Sequence, residues 1–296
     1  MDTLKKRSLI SLLSLTFSCT AFSQTSFTTW NLEWLSSTPD PKFSASMRDG
    51  SDYQALQNYS DKMNSDIIAF QEVNDEKALR RIIGDGYQVI FSDRNTKAYQ
   101  AQQFSDINQF TGFAVRKGIE VNNQPDIQLD TNPRSKLRFA SYVVIHPDSN
   151  TPIHVLSVHL KARCSGAYNN SDACKTLKSQ GAALNTWIRE RERNNQSYVV
   201  LGDFNHNMSY RGDWLWERIS KNSNALLASQ KSKALCKVRS NKNPKRTHQF
   251  RSLIDHIVVS DDLAFTIPKQ VTYSTDDVLK YQMSDHCPVT SLITTR

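Results

Sequence analysis

The chain has 296 residues, of which 38% are hydrophobic, and its 37 Lys and Arg against 29 Asp and Glu give a formal charge of +8. Residues 24–296, which follow the N-terminal segment described below, are enough for one large hydrophobic core or two modest domains. No internal repeat and no Pro-, Gly- or Ser-rich linker divides them, which excludes a repeat architecture and favours a single domain. The basic balance suits a polyanion such as nucleic acid, anionic lipid or a phosphorylated small molecule, although net charge alone does not separate these from a well-solvated surface.

Residues 1–23 have the pattern of a secretory signal peptide. Lys5, Lys6 and Arg7 precede a short apolar core at 9–17, and Ala21-Phe22-Ser23 supplies a small-x-small cleavage site. The core is too short to cross a bilayer, which argues against an N-terminal anchor. We therefore predict a secreted or periplasmic monomer, residues 24–296, with no stable membrane insertion.

Four cysteines remain after Cys19 leaves with the signal: Cys164, Cys174, Cys236 and Cys287. An even count in an exported chain favours two disulfides. Cys164 and Cys174 are ten residues apart in a polar loop that closes easily, so we predict this pair, and Cys236–Cys287 follows by default. Zinc is the alternative, but no CxxC or HxxxH spacing supports it.

Strands and helices alternate along the chain. The first half predicts strands at 25–31, 66–72, 87–91, 110–116, 137–145 and 152–160, with helices at 51–64 and 78–83, a cap at Asn74 and a loop at 93–107. The second half predicts the clearest helix at 173–193, a strand from Val199, a short helix at 214–219, a polar stretch to Gln249, and strands around Ile254 and Val289. This order predicts an α/β sandwich with two packed sheets and helices outside.

Six short apolar runs lead into, or carry, a carboxylate, carboxamide or imidazole. They are residues 28–31, 67–72, 155–159, 199–205, 253–259 and 283–289. Buried strands are apolar, and a charged or amide group at the edge of one needs a partner or a metal ion. Six such edges predict strand ends that converge on one polar, metal-binding site.

Several of these polar residues have a chemical and a simpler structural interpretation. Glu72 directly follows a buried strand and is a natural oxygen ligand for Mg²⁺, or else a helix cap or surface acid. The amide of Asn31 would hold a phosphate oxygen or a metal-bound water. Its simpler interpretation is an amide in a turn. Asp203 and Asn205 are two apart on an extended segment and point the same way, which lets them grip one reacting centre.

The histidines also have either a chemical or a simpler structural interpretation. His159 ends a strand two residues before Lys161, where an imidazolium would stabilise a phosphate or protonate a leaving oxygen, although a lone histidine is more often structural. Asp255 and His286 form our candidate base pair, because a carboxylate fixes the tautomer of an imidazole and raises its basicity. His256 alternates to the opposite face and is interpreted as structural.

Taken together, these runs resemble the endonuclease/exonuclease/phosphatase superfamily, which includes the pancreatic-type deoxyribonucleases. The motifs that carry the resemblance are residues 30–33, 71–73, 157–161, 202–205, 254–257 and 284–289. The resemblance implies a four-layer α/β sandwich with two central mixed, largely antiparallel sheets. It also implies hydrolysis of phosphodiesters or phosphomonoesters with a divalent cation, usually Mg²⁺, with Mn²⁺ or Ca²⁺ as alternatives.

The resemblance also implies a role for each matched residue. Glu72 would bind the metal, Asn31 would help to hold it or the phosphate, and Asp285 would be a further ligand. Asp203 and Asn205 would position the nucleophile and the phosphate. His159 would contact the phosphate or act as the acid, and Asp255 would orient His286. Family members differ over which residue activates water: the aspartate of the Gly-Asp-x-Asn motif, here Asp203, or the last histidine, here His286. Both options stay open for this chain.

Three more residues are candidates for substrate binding. Gln109 stands where deoxyribonuclease-type members have a glutamate that partners the equivalent of His159, and an amide stabilises an imidazolium less well. Arg138, at the head of a strand, is a candidate phosphate contact or a solvated strand end, and Lys161, two residues after His159, is a further candidate for substrate binding.

Residues 231–251 contain eight cations and no acid, which would attract a polyanion or simply form a solvated loop. We predict a metal-dependent nuclease of low sequence specificity acting on nucleic acid, with DNA as its main substrate. The alternatives are a sphingomyelinase-like phospholipid phosphodiesterase, a small-molecule phosphatase and, from another class, a non-catalytic binding protein.

Overall fold

Two large β-sheets lie face to face in the computed structural model, which describes residues 24–146 and 148–295. The predicted signal peptide, residues 1–23, lies outside the described residues. The strands are β1 (Thr25–Leu35), β2 (Ile67–Val73), β3 (Tyr87–Phe91), β4 (Phe110–Arg116), β5 (Val121–Ile127), β6 (Ala140–Ile145), β7 (Ile153–His159), β8 (Ser197–Asp203), β9 (Leu226–Leu227), β10 (Lys237–Arg239), β11 (Thr247–Gln249), β12 (Asp255–Val259), β13 (Leu263–Phe265), β14 (Lys269–Gln270) and β15 (Val289–Thr295). The helices are α1 (Gly50–Met63), α2 (Glu76–Ile83), α3 (Asp172–Arg193), α4 (Trp214–Ile219) and α5 (Thr275–Lys280).

The first sheet has the order β13-β15-β1-β2-β4-β3, with β14 on β15, and the second has the order β5-β6-β7-β8-β12-β9. Strands β10 and β11 form a separate hairpin. Within the described residues only the β1–β2 and β7–β8 pairs are parallel, and the other pairs are antiparallel. The sheets are therefore mixed and largely antiparallel, as predicted.

The period of two along each strand divides the side chains between the two sides of its sheet. In β2, Ile67 and Ala69 face the other sheet, where they pack in a core that also contains Val155 and Val199. Ile68 and the other alternate residues face the helices of the first sheet. Helices α1, α2 and α5 cover the first sheet, and α3 and α4 cover the second, which confirms the predicted four layers.

The helix starts follow from local capping. Asp49 caps α1 through a reciprocal capping box with Asp52, and Ser171 caps α3. We predicted Asn74 as the cap of α2, which is wrong, because the Asp75 carboxylate accepts from the amide of Ala78. Asn74 instead joins two loops: its Oδ1 accepts from the amide of Asn108.

The other differences lie where apolar periodicity is weak. The predicted loop at 93–107 contains two short 3₁₀ helices, and β5 was missed because its sequence, VNNQPDI, is polar and lies at a sheet edge. The polar stretch before Gln249 contains β9 and the β10–β11 hairpin, and α5 was also missed. These segments are defined by what they pack against, which short polar sequences do not reveal.

Both predicted disulfides, Cys164–Cys174 and Cys236–Cys287, are present, so these four thiols are not available to zinc. Within the described part of the chain, no helix combines the length and apolar character needed to cross a bilayer.

Candidate functional site

The ends of five central strands meet at one edge of the sandwich. His159 at the end of β7 and Asp255 at the start of β12 both lie in register with Asp203 at the end of β8. Asn31 projects from β1, in the opposite sheet, toward this group. Each of these four side chains continues the inward-facing alternation of its strand, so the period that builds the core also directs them between the sheets.

Glu72 reaches the same place by a different route. Alternation would put its side chain on the helix side of β2, with Ile68 and Phe70. A register shift in β2 and a φ of 58° at Glu72 turn the side chain back toward Asn31. A left-handed conformation costs free energy in a residue with a Cβ atom, and such strain is typical of functional sites.

Asn31 connects the two sheets at the centre of the site. Its Nδ2 donates to Oε1 of Glu72 and to Oδ2 of Asp203, both at 3.1 Å. Its Oδ1 accepts from the backbone amide of Glu33 at 2.9 Å. In this orientation the atom that would ligate a cation is already bonded to the backbone, and Asn31 acts as a donor that holds two carboxylates in place.

His159 is buried beside the same two carboxylates. Its Nε2 lies 3.6 Å from Oε1 of Glu72 and 3.5 Å from Oδ2 of Asp203. Burial, reinforced by the positive charge of Arg138, holds the pKa of His159 well below its usual value. The imidazole is therefore neutral near pH 7 unless an anion joins it.

The predicted link from Gln109 to His159 is absent. Among the described residues, Nδ1 of His159 has no hydrogen-bond partner, although it is buried. Gln109 is itself buried at the start of β4, but its amide does not reach the imidazole. The position in sequence matched the family pattern, but the side chains of Gln109 and His159 are not hydrogen-bonded.

Asp255 and His286 form a close pair on the other side of Asp203. Nδ1 of His286 lies 2.8 and 3.0 Å from the two oxygens of Asp255, and its Nε2 lies 3.8 Å from Oδ2 of Asp203. Burial lowers the pKa of His286, but Asp255 and Asp203 outweigh it and hold that pKa well above its usual value. Ser284 supports the pair, because its hydroxyl accepts from the amide of His286 and donates to the carbonyl of Asn31.

Asp203 is the residue that all these groups share. Burial raises its pKa to about 7; His286 opposes the shift, whereas Asp255 adds to it. Asn205, with a φ of 53°, folds back so that its amide N–H donates to Oδ1 of Asp203 at 2.7 Å and its Nδ2 lies 3.2 Å from Oδ2. Gly202 is required just before this turn, because a Cβ there would lie 2.0 Å from the carbonyl oxygen of Val158.

A second pair of carboxylates lies at the rim. Oε2 of Glu33 accepts from the amide of Asp285 at 2.9 Å and lies 3.9 Å from Arg48. Burial and the charge of Asp285 raise the pKa of Glu33 to about 8. Asp285 is half exposed, and its Oδ1 lies 3.8 Å from Nε2 of His286. We assigned no role to Glu33, although it follows Asn31 by two residues in the 30–33 motif that carries the family resemblance.

Basic groups approach from the side of His159. Arg138 donates to the carbonyl of Leu160 at 2.9 Å, and its buried Nε has no partner among the described residues. The negative charges of Glu72 and Asp203 favour its positive charge. Arg94, which sequence reasoning missed, is fully buried near Arg138. Lys161 is held through its backbone amide, which donates to Gln180 at 2.8 Å.

The donor set fits a divalent cation. Ligand atoms of Asp203, Asp255 and His286 lie within 4.8 Å of one another. Both oxygens of Asp255 contact His286, and Oδ2 of Asp203 accepts from two side-chain amides. Among the described residues each oxygen of Glu72 accepts only one hydrogen bond, so Glu72 has the most capacity to spare for a cation. Burial and mutual repulsion of these acids are unfavourable without positive charge, and the raised pKa of Asp203 reports that cost. A hard cation that takes oxygen ligands would relieve it.

A two-sheet sandwich with carboxylates, imidazoles and arginines at one edge defines a class of hydrolytic phosphoesterases. The sequence profile of the Endonuclease/Exonuclease/phosphatase family matches residues 28–286, and the chain belongs to that family. A comparison with curated protein sequences returned no match.

Solved structures agree in fold. An endonuclease/exonuclease/phosphatase family protein from Bacteroides thetaiotaomicron is 15% identical, with a TM-score of 0.64 over 93% of this chain and 99% of its own. A mannosyl-6-phosphatase from the same organism is 16% identical, with a TM-score of 0.65 over 91% and 99%. TDP2 from Caenorhabditis elegans is 17% identical, with a TM-score of 0.61 over 92% and 75%. At these identities the likeness establishes the fold.

Proposed function

We propose that the protein is an exported, divalent-metal-dependent phosphodiesterase that hydrolyses nucleic acid, with DNA as its main substrate and little sequence specificity. The observation that carries the proposal is the Asp255–His286 pair facing Asp203 at 3.8 Å, beside Glu72 and His159. This arrangement brings a proton acceptor, a cation ligand and an imidazole to one centre between the sheets.

The side chains divide the work as follows. Asp255 fixes the tautomer of His286, so that Nε2 faces the reacting centre. Asp203, which faces Nε2 of His286 at 3.8 Å, receives the proton of the attacking water, and Asn31 keeps Asp203 aligned with Glu72. Orientation by rigid strand ends lowers the entropic cost of the reaction.

Glu72, with Asp285 from the rim, would hold the cation. A bound Mg²⁺ would polarise the phosphoryl oxygen and stabilise the charge that develops on it. Arg138 would receive a non-bridging phosphate oxygen, which is consistent with its buried, unpartnered Nε. Nε2 of His159 faces the same centre beside Glu72 and Asp203.

A phosphatase acting on small phosphate esters is the second candidate. The observation that favours it is the similar fold of the mannosyl-6-phosphatase, whose name records that activity. Export is supported by the two disulfides, which persist in oxidising compartments. A non-catalytic role is less consistent with a site in which each carboxylate, amide and imidazole is held in place.

One assay panel tests the proposal. Residues 24–296 are incubated with plasmid DNA, RNA, sphingomyelin, a sugar phosphate and a chromogenic phosphodiester, with Mg²⁺, with Mn²⁺ and with EDTA. We expect cleavage of DNA with Mg²⁺ or Mn²⁺ and none with EDTA. Intact DNA and RNA in every condition would refute the nuclease, and release of phosphate from the sugar phosphate alone would favour the phosphatase.

Two variants connect the activity to the site. His286→Ala should abolish most turnover and keep the fold, and Glu72→Gln should lose both activity and the rise in Tm that Mg²⁺ produces in the wild type. His146→Asn is the matched control, because His146 lies in a loop at a φ of 51°, which asparagine tolerates. Full activity of His286→Ala would show that the catalytic centre lies elsewhere, whereas a wild type without turnover on any substrate would point to a binding protein.

A further inference from the structure

The β10–β11 hairpin is fastened beside the catalytic histidine. Its strands pair from Lys237 opposite Gln249 to Arg239 opposite Thr247. The residue before the hairpin, Cys236, is disulfide-bonded to the residue after His286, with 5.6 Å between the two Cα atoms. The amide of Cys236 also donates to Oε1 of Gln270 at 2.9 Å. The hairpin therefore keeps a fixed position relative to the reacting centre.

A cavity of about 280 Å³ is lined both by residues of the site and by the two residues that flank the hairpin, Cys236 and Phe250. Asn205, Asp255 and His286 contribute from the site, and Phe250 directly follows the hairpin. Phe250 is 42% exposed, and its ring meets that of His248 edge-to-face at 5.2 Å. The volume is below that of most pockets for drug-sized ligands and suits one planar ring with its sugar.

The hairpin and its flanks carry a dense positive charge. Lys242, Lys245 and Arg246 lie at its turn and are exposed, and no acid occurs between residues 231 and 251. In the described ranges none of these three cations takes part in an ion pair. Like charges gathered on one short element repel each other, and a polyanion whose phosphates replace released counterions relieves that repulsion.

We propose that the hairpin binds the strand of nucleic acid next to the scissile phosphate. One base stacks on Phe250 in the cavity beside His286, and the phosphates beyond it are neutralised by Lys242, Lys245 and Arg246. Aromatic stacking combined with a cationic track is the usual means of binding a single strand without sequence preference. The inference rests on the proposed nuclease function and adds the requirement for a substrate several nucleotides long.

An anionic membrane surface is the competing partner. Leu235 and Ile267 are exposed close to the hairpin, among Lys231, Lys233 and Lys269. Two aliphatic side chains bury little apolar area in a bilayer, however, and Phe250 lines the cavity beside His286. Nucleic acid is therefore the partner that the geometry favours, and lipid becomes an outcome of the test.

The test compares a single-stranded oligonucleotide with bis(4-nitrophenyl) phosphate as substrates. Phe250→Ala should raise KM for the oligonucleotide roughly tenfold, as the loss of one base stack implies. A triple variant, K242Q/K245Q/R246Q, should reduce the slope of log(kcat/KM) against log[NaCl] by about 2. In both variants the ratio of kcat/KM for oligonucleotide to kcat/KM for the small diester should fall. The matched control, K77Q/K117Q/R189Q, removes three exposed cations from elsewhere and should change neither quantity.

The outcomes separate this inference from the function on which it rests. A wild type that cleaves the oligonucleotide, with both hairpin variants folded and unchanged in KM and salt slope, would overturn the inference and leave the nuclease intact. A wild type that cleaves no nucleic acid overturns the proposed function itself. Unchanged oligonucleotide kinetics, together with loss of binding to phosphatidylserine vesicles in the triple variant, would assign the hairpin to lipid.

Discussion

The hydrogen bond between Asp255 and His286 gives the sharpest test of the proposed site. Asp255→Asn keeps the shape of the side chain and removes its charge. Asp255 is buried, and its oxygens lie 2.8 and 3.0 Å from Nδ1 of His286, so the bond is charge-assisted and little screened by water. The pKa of His286, which Asp255 raises against the effect of burial, should fall in the variant.

The expected size of the effect follows from that bond. A hydrogen bond to a charged group contributes about 1.5–3 kcal/mol, and a neutral one contributes about 0.5–1.5 kcal/mol. The difference, about 1–2 kcal/mol, corresponds to a roughly 5- to 30-fold lower kcat/KM. An amide that turns its NH₂ group toward Nδ1 would impose the wrong tautomer and deepen the loss.

The assay is kcat/KM for the chromogenic phosphodiester at neutral pH, with the pKa of His286 followed by NMR. The matched control is Asp213→Asn, which alters a second buried pair: Nε2 of His206 lies 2.7 Å from Oδ2 of Asp213, outside the catalytic cluster. The control should lose stability but retain kcat/KM. A folded Asp255→Asn protein with wild-type kcat/KM would refute the reasoning about this pair.

The remaining predictions concern stability. Gly202→Ala should lower the free energy of unfolding by about 3 kcal/mol or more, since its Cβ would lie 2.0 Å from a carbonyl oxygen, whereas Gly86→Ala meets nothing within 4 Å and should be tolerated in the same thermal melts. In the second buried histidine–aspartate pair, burial lowers the histidine pKa, but the hydrogen bond to Asp213 outweighs it and leaves that pKa raised. The stability that the pair contributes is therefore complete below about pH 6.5 and is lost as pH rises through the folded-state pKa of the histidine. The Tm difference between wild type and Asp213→Asn should consequently shrink at high pH. A difference that stays constant with pH would contradict this. C236S/C287S should lose about 4 kcal/mol in urea unfolding, because the disulfide closes a segment with a sequence separation of 51, and an unchanged midpoint would mean that the hairpin is held by other contacts.

Much of the fold followed from local patterns. Alternating or continuous apolar runs predicted β3 and β4 at their observed bounds, and helical spacing predicted α3 to within one residue at its start. Local periodicity reports which face of an element is buried, and burial is what forms the core. Polar edge elements such as β5 lack that signal, and their structure depends on the neighbour to which they pair.

The candidate site was predictable as a set of residues and not as a set of contacts. Polar residues at the ends of apolar runs identified Glu72, Asp203 and His286 as members of one group, which the structure brings together. Sequence could not indicate that Asn31 uses its amide nitrogen on two carboxylates while its oxygen binds the backbone. Nor could it show that Gln109 fails to reach His159, since both depend on loop paths and side-chain rotations.

By itself, the amino-acid sequence determined most of the core strands, the polar residues at their ends, the pairing of its cysteines and the membership of a phosphoesterase family. Tertiary structure alone decided that a left-handed turn re-aims Glu72, that Glu33 joins the rim, and that the residues flanking a basic hairpin share a cavity with His286. The physical reason is that hydrophobic periodicity is a local property written in each segment. The direction of a polar side chain at a strand end is set by distant segments that supply its donors, acceptors and charges.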